Sequence, residues 1–151
     1  MAGFTGEFEC TADTKCRVLF PIVLRKQLSP DAMERFVINR GFEKHLNLYP
    51  LNEWNIITAE MSKLNLFVKE NRDFYRKFHN GATELFLDGQ GRILFPRLLM
   101  NYAGIRKDAV LYAFANRIEV WSKHEFDKMI GDKKNYAALA EKVMGKLNKN
   151  G

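Results

Sequence analysis

Apolar and polar positions alternate cleanly at the start of the chain. Phe4, Gly6, Phe8, Cys10 and Ala12 interleave with Thr5, Glu7, Glu9 and Thr11, the period-two pattern of a half-buried strand. A polar turn follows, then a short apolar strand over Arg17–Phe20. Pro21 ends that strand and suits the first turn of a brief helix over Ile22–Leu28, because proline has no amide to donate there. Two further strands are expected, Phe36–Asn39 and His45–Tyr49, around Arg40-Gly41-Phe42-Glu43-Lys44. Leu51, Trp54, Ile57, Met61 and Leu64 then recur at helical spacing. A second amphipathic helix spans Phe67–Asn80, with Phe67, Phe74 and Phe78 as its apolar stripe and Lys69, Arg72, Arg76 and Lys77 on its polar side. Asn65-Leu66 marks the corner between the two.

The first series then returns. Thr83–Leu87 reads as a shorter, less regular strand, followed by a polar turn, the strand Arg92–Phe95, Pro96 and a helix over Arg97–Ala103 closed by Gly104. Strands Ala109–Phe114 and Arg117–Trp121 flank Ala115-Asn116. Ser122 caps a helix through Ile130 with Phe126, Met129 and Ile130 inward, and Gly131 breaks it. A last helix from Tyr136 to Leu147 carries only a narrow stripe, Tyr136, Ala140, Val143 and Leu147, suited to a packing tail or a subunit contact.

The return is a repeat in the residues themselves. Asp13-Thr14-Lys15-Cys16-Arg17-Val18-Leu19-Phe20-Pro21 stands 75 positions before Asp88-Gly89-Gln90-Gly91-Arg92-Ile93-Leu94-Phe95-Pro96. Leu46, Leu48, Tyr49, Glu53 and Trp54 match Ile118, Val120, Trp121, Glu125 and Phe126 at an offset of 72. One β-β-α-β-β copy is too small to bury much surface and leaves its strand edges open. Two copies in one chain can close each other's edges, which predicts one pseudo-twofold barrel rather than two independent domains.

Composition narrows the class. A chain of 151 residues with 46% hydrophobic and 28% charged positions is an ordinary globular chain of about one domain, neither a polyelectrolyte nor a disulfide scaffold. No apolar run is long enough to span a bilayer, and the start lacks the basic and apolar regions of a signal peptide, so a cytoplasmic address with no membrane partner is expected. The formal net charge of +6 is unevenly placed. Residues 1–75 hold 10 basic and 10 acidic side chains, whereas residues 76–151 hold 14 and 8. Much of the excess lies in the tail lysines Lys123, Lys128, Lys133, Lys134, Lys142, Lys146 and Lys149, where a solvated helix face explains it. Bulk charge therefore permits nucleic-acid binding without establishing it. His45, His79 and His124 are scattered, Cys10 and Cys16 fit no metal-ligand spacing, and no nucleophile elbow, P-loop or GxGxxG is present. No enzyme, metal, cofactor or small-molecule substrate is expected.

The chemistry that remains lies in the repeated turns. Alone, an Asp-x-x-x-Arg turn is a carboxylate accepting backbone and guanidinium hydrogen bonds. Twice over, it sets Arg17 and Arg92 at equivalent places about the expected twofold, able to address two stretches of a duplex that has its own local dyad. A guanidinium can clamp phosphate or pair bidentately with guanine, and Lys15 adds a point charge for phosphate. Asp13 and Asp88 are then orienters of turn and arginine, since a carboxylate facing phosphate would be repelled.

The doubled Asp-x-x-x-Arg-apolar-apolar-Phe-Pro resembles the swapped-hairpin AbrB/MazE/SpoVT superfamily. Phe4-Thr5-Gly6-Glu7-Phe8, Val37-Ile38-Asn39-Arg40-Gly41-Phe42-Glu43, Leu48-Tyr49-Pro50-Leu51-Asn52-Glu53-Trp54 and Gly81-Ala82-Thr83-Glu84 are similar, more closely, to the MraZ family. That resemblance covers Phe4 to about Ile130. It implies an α+β fold of two AbrB-like β-β-α-β-β repeats in one pseudo-twofold double-split β-barrel. The parts would be repeat 1 over 7–54, a helical insert over 55–81, repeat 2 over 82–126 and a C-terminal helical tail over 127–151. It implies a nucleoid-associated transcriptional regulator that assembles as a ring-shaped homo-oligomer. Such a ring would bind G-rich repeats in double-stranded promoter DNA and repress its own division and cell-wall operon. The DNA-facing residues would be Lys15, Arg17 and Arg92. The alternative is a DNA-binding scaffold or antitoxin-like protein whose last helix holds a protein partner. Cys16 departs from the glycine usual before the first arginine. If the backbone there has positive φ, its Cβ is crowded, at about 1 kcal/mol. Its thiol beside Lys15 and Arg17 also suggests redox tuning through a lowered pKa.

Overall fold

In a computed structural model, which describes residues 3–131 and 135–150, the opening alternation becomes strand β1 (Phe4–Thr11), with its even positions turned inward and its odd positions exposed. Chain order continues through β2 (Arg17–Leu19), α1 (Ile22–Lys26), a 3-10 turn (Pro30–Ala32), β3 (Arg35–Arg40) and β4 (Leu46–Pro50). Between β4 and β5 the chain forms α2 (Leu51–Met61) and α3 (Lys69–His79). The second series gives β5 (Thr83–Phe86), β6 (Arg92–Leu94), α4 (Arg97–Tyr102), β7 (Asp108–Ala115) and β8 (Arg117–Ser122), followed by α5 (Lys123–Ile130) and α6 (Tyr136–Asn150). This is an α+β architecture. Pro21 and Pro96 stand just before α1 and α4, with φ of −59° and −60° and extended ψ, rather than inside the first turn. Their fixed φ still sets the angle at which each strand becomes a helix.

Neither repeat forms a sheet of its own. Among the described residues six strands pair antiparallel in the order β1-β7-β8-β4-β3-β5, and β2 pairs only with β6. Exchanging the repeats (β1 with β5, β2 with β6, β3 with β7, β4 with β8) turns this order into its own reverse. The register shows where that exchange is centred. Val18 lies opposite Ile93 in the ribbon, and Asn47 lies opposite Glu119 between β4 and β8. Each pair is a residue facing its own equivalent.

The core follows the same exchange. Val18, Phe20 and Leu24 are buried together with Ile93, Phe95 and Leu99, and with Phe36, Ile38, Leu46, Leu48, Ile118 and Val120. Burial of this kind, at about 25 cal/mol per Å² of apolar surface, is what joins the two repeats. Beneath the Asn47–Glu119 pair, the buried His45 stacks on Trp121 with ring centroids 4.5 Å apart. The Nε1 of Trp121 donates to Glu119 Oε1 at 2.9 Å, and His45 Nε2 lies 3.3 Å from Glu119 Oε2. Burial alone would raise the pKa of Glu119, yet these partners hold it below the usual carboxylate value.

The helices depart from expectation in three places. The corner after α2 forms at Asn65, whose Oδ1 accepts the amide of Phe67, so α3 begins only at Lys69. The expected stripe Phe67-Phe74-Phe78 does not enter the core. Phe78 stacks on Trp54 at 5.3 Å, but Phe67 is 95% exposed and Phe74 is also exposed. The two repeats already close the core, so α3 stays at its margin, held by Trp54 of α2 and by Asn39 of β3, whose Nδ2 donates to Phe78 O at 3.1 Å. In α5, capped by Ser122 Oγ accepting Glu125 N, Phe126 is buried while Ile130 faces solvent. Asn135 Oδ1 accepts the amides of Ala137 and Ala138 at the start of α6, whose Tyr136, Leu139, Val143, Met144 and Leu147 are exposed. Lys133 and Lys134 of the expected lysine tail lie outside the described residues. No helix of the described residues is long and apolar enough to cross a membrane.

Candidate nucleic-acid interface

Both repeated turns are built on an aspartate. Asp13 Oδ1 accepts the amides of Lys15 and Arg17, each at 2.9 Å, and Oδ2 accepts Arg17 Nε at 2.7 Å. Asp88 Oδ1 accepts the amides of Gln90 at 2.8 Å and Arg92 at 2.9 Å, and its Oδ2 accepts Arg92 Nε at 2.9 Å. The backbones match as well. Cys16 N donates to Asp13 O and Gly91 N to Asp88 O, both at 3.0 Å. A short acceptor side chain two residues before the first amide is the geometry that makes aspartate effective in such turns. The amide of Arg17, with its side chain and the Lys15 amide, holds the Asp13 carboxyl below its usual pKa, and the amides of Arg92 and Gln90 do the same for Asp88. Both carboxylates are therefore ionised at neutral pH and take up one edge of each guanidinium.

The fourth residue of each turn has a left-handed backbone, φ +66° at Cys16 and +76° at Gly91. The crowding anticipated at Cys16 is thus present, and the side chain is buried in the core. Burial works against the redox reading, because an oxidant has no access to this thiol. Burial and the charge of Asp108 push the Cys10 thiol up to about 11, so Cys10 stays protonated at neutral pH.

The turns are locked to each other across the repeats. Phe20 N donates to Gly91 O and Phe95 N to Cys16 O, both at 2.9 Å. Arg97, at the start of α4 in the second repeat, donates through Nη2 to Thr14 O in the first turn at 3.2 Å. Arg25 of α1 lies beside Gly91 in the second turn and is ion-paired with Glu34. Sequence reasoning did not pick out Arg25 or Arg97. Only Arg97, directly after the repeated proline, carried a positional signal.

The β2–β6 ribbon brings Arg17 and Arg92 together. Its register opposes Arg17 with Leu94 and Leu19 with Arg92, while Val18 and Ile93 point into the core. Arg17, Leu19, Arg92 and Leu94 therefore share the outer face. The arginine side chains are 32% and 29% exposed, each tied through Nε to its own aspartate. Among the described residues no partner engages their Nη1 or Nη2. Each guanidinium is thus held in orientation with two donors turned outward, the form suited to bidentate recognition of phosphate or guanine. Lys15 is exposed at the first turn, where the second has Gln90. Among the described residues no group of histidine, cysteine and carboxylate side chains could hold a metal ion.

Comparison with known proteins adds the family. The model described as "MraZ protein, putative antitoxin-like" matches residues 3–77 and again 78–145. The chain belongs to the MraZ family. The double match sets one MraZ unit on each exchanged repeat. The chain is 41% identical over 147 residues to a protein of Christiangramia forsetii named Transcriptional regulator MraZ, covering 96% of this chain and 95% of that one. A protein of the same name from Flavobacterium psychrophilum is 41% identical over 150 residues, covering 98% and 96%. Its counterpart in Clostridium tetani is 38% identical over 140 residues, covering 93% and 96%.

Proposed function

We propose that this chain is a sequence-specific DNA-binding transcriptional regulator with no catalytic role. The observation that carries the reading is the outer face of the β2–β6 ribbon, where one strand from each repeat presents an oriented arginine. A two-stranded ribbon fits the major groove, and its local dyad, centred on Val18 and Ile93, can coincide with the dyad of a duplex. Arg17 and Arg92 contact DNA, Lys15 contacts phosphate, and Asp13 and Asp88 orient the turns. The relatives named Transcriptional regulator MraZ support the regulatory role. The repeats run over 7–54 and 82–126 in a double-split barrel of AbrB type, with the insert over 55–81 and the tail over 127–151. The protein acts in the cytoplasm at the nucleoid, where it binds G-rich promoter repeats and represses its own operon.

Association with further copies of the chain has a separate support. The chain exposes 10160 Å², whereas a compact monomer of 17.6 kDa exposes about 7,900 Å². Large exposed apolar side chains, among them Phe42, Phe67, Phe86 and Leu98, contribute to that surplus. A single ribbon offers few base contacts and binds weakly, whereas a ring engages successive repeats at high effective concentration.

The test is a salt series on an operator and a scrambled duplex with Arg17→Ala and Arg92→Ala. Loss of discrimination identifies base readout, and uniform loss on both duplexes identifies phosphate contacts. Unchanged binding by both variants overturns the reading. A second reading, a scaffold whose last helix binds a protein partner, is favoured only by the exposed stripe of α6. Deleting residues 131–151 separates the two. A lost oligomer with the fold retained assigns the helix to assembly, and an intact ring that loses only a partner assigns it to the scaffold.

A further inference from the structure

Leu19 and Leu94 are 65% and 57% exposed, on a ribbon whose other apolar pair, Val18 and Ile93, is almost wholly buried. A strand position whose neighbour serves the core would ordinarily be polar when it faces water. Here both equivalent positions are leucine, and each stands directly opposite the arginine of the other repeat. Directly opposed residues in an antiparallel pair have their Cβ atoms about 5 Å apart, close enough for both to meet the same ligand. Whatever docks on the two outward guanidinium groups therefore also covers the two leucines. In the major groove, the apolar feature available to a leucine is the 5-methyl group of thymine, while the guanidinium groups are suited to guanine O6 and N7 or to phosphate.

We infer that Leu19 and Leu94 are specificity-determining residues that read thymine methyl groups beside the sites addressed by Arg92 and Arg17. This rests on the DNA reading proposed above and extends it from charge to sequence. The ribbon then reads two mixed elements related by its dyad, each pairing one arginine contact with one methyl contact, and it rejects cytosine at the leucine positions. Exposed Ile22, Val23 and Leu98 at the starts of α1 and α4 raise a rival occupant, a second copy of the chain. The ribbon favours DNA, because the two leucines and the two unpaired guanidinium edges lie on one face.

The experiment uses the full chain and a duplex enriched by the unsubstituted protein from a random 20-bp pool, on the order of two helical turns. Each thymine of that duplex is replaced in turn by deoxyuridine, which removes only the methyl group. The expected result is a loss of about three- to fivefold in affinity at one thymine or more for the unsubstituted protein, and no loss at the same positions for Leu19→Ala/Leu94→Ala. Equal deoxyuridine effects in both proteins, or none in either, overturn the inference. A change of oligomeric mass in Leu19→Ala/Leu94→Ala, read by light scattering, also overturns it by assigning the leucines to a subunit contact. Arg17→Ala/Arg92→Ala keeps the two readings apart. If it retains full affinity, or if no duplex is enriched, the DNA reading itself fails. If it loses affinity while the leucine variant reads DNA unchanged, only the leucine assignment fails.

Discussion

The two turns share one backbone plan and differ in how they are furnished. In the first, Thr14-Lys15-Cys16 lies between the aspartate and the arginine, and in the second Gly89-Gln90-Gly91 does. Both hold the arginine Nε on the aspartate and both donate the same backbone hydrogen bonds. The first turn adds an exposed cation at Lys15 and fills its left-handed position with a side chain that packs into the core. The second carries a neutral amide at Gln90 and leaves that position to glycine. What two turns of independent composition retain in common is the aspartate, the arginine and the backbone between them. What differs tunes charge at the first turn and backbone ease at the second.

The comparison can be broken hardest at the arginines. Arg17→Ala/Arg92→Ala should abolish specific DNA binding, and each single variant should lose about 10- to 100-fold, corresponding to about 1–3 kcal/mol for a bidentate contact, measured by fluorescence anisotropy. A single variant that matches the double would show that only one turn touches DNA. Backbone ease comes next. Gly91→Ala should destabilise the fold by about 1–2 kcal/mol in urea unfolding, purely through its φ, because the new Cβ meets Arg25 Nη1 at an ordinary 3.5 Å. Cys16→Gly should shift stability by under about 1 kcal/mol, since relief of φ is offset by lost packing and by a more flexible unfolded chain.

Charge is the subtler difference. Lys15→Gln should lower the slope of log affinity against log salt by about one on any duplex, and Gln90→Lys should raise it by about one. The smallest effect is that of pH. Both aspartates have pKa values lowered in the folded state, so the stability they confer is complete above their unfolded values and is lost as pH falls through the folded ones. Neither turn should respond between pH 5 and 8. Both should keep their arginines down to the ordinary aspartate pKa of about 3.9 and release them only below it, followed by carboxyl carbon shifts in NMR.

The strands, the repeat offset and the two aspartate turns were legible in the sequence because each rests on local periodicity or on residue identity at fixed spacing. The swap of strands between repeats was legible only as a need to close edges. Nothing in the alternation of β1 names β7 as its partner, since every half-buried strand presents the same pattern. The α3 stripe misled for a related reason. Phe67 and Phe74 sit at helical spacing whether or not a core remains to receive them, and here the sheet had already closed it. Leu19 and Leu94 were hidden inside an apolar run too short to show that alternate members face opposite ways. Arg97 reached Thr14 across 83 residues of chain, a distance over which spacing carries no information.

The exchange of strands also sets an order of events during synthesis. Phe4 pairs with Ala115 and Thr11 with Asp108, so β1 emerges from the ribosome long before the strand that completes it. Arg17–Leu19 waits likewise for Arg92–Leu94. Until β7 and β8 are made, the first repeat carries unpaired edges and an apolar face without a cover, a state prone to pairing with a neighbouring chain. Folding is therefore a late event that awaits most of the chain, and a chain that ends before Arg92 has no strand to pair with Arg17–Leu19 and cannot present Arg17 on a paired ribbon.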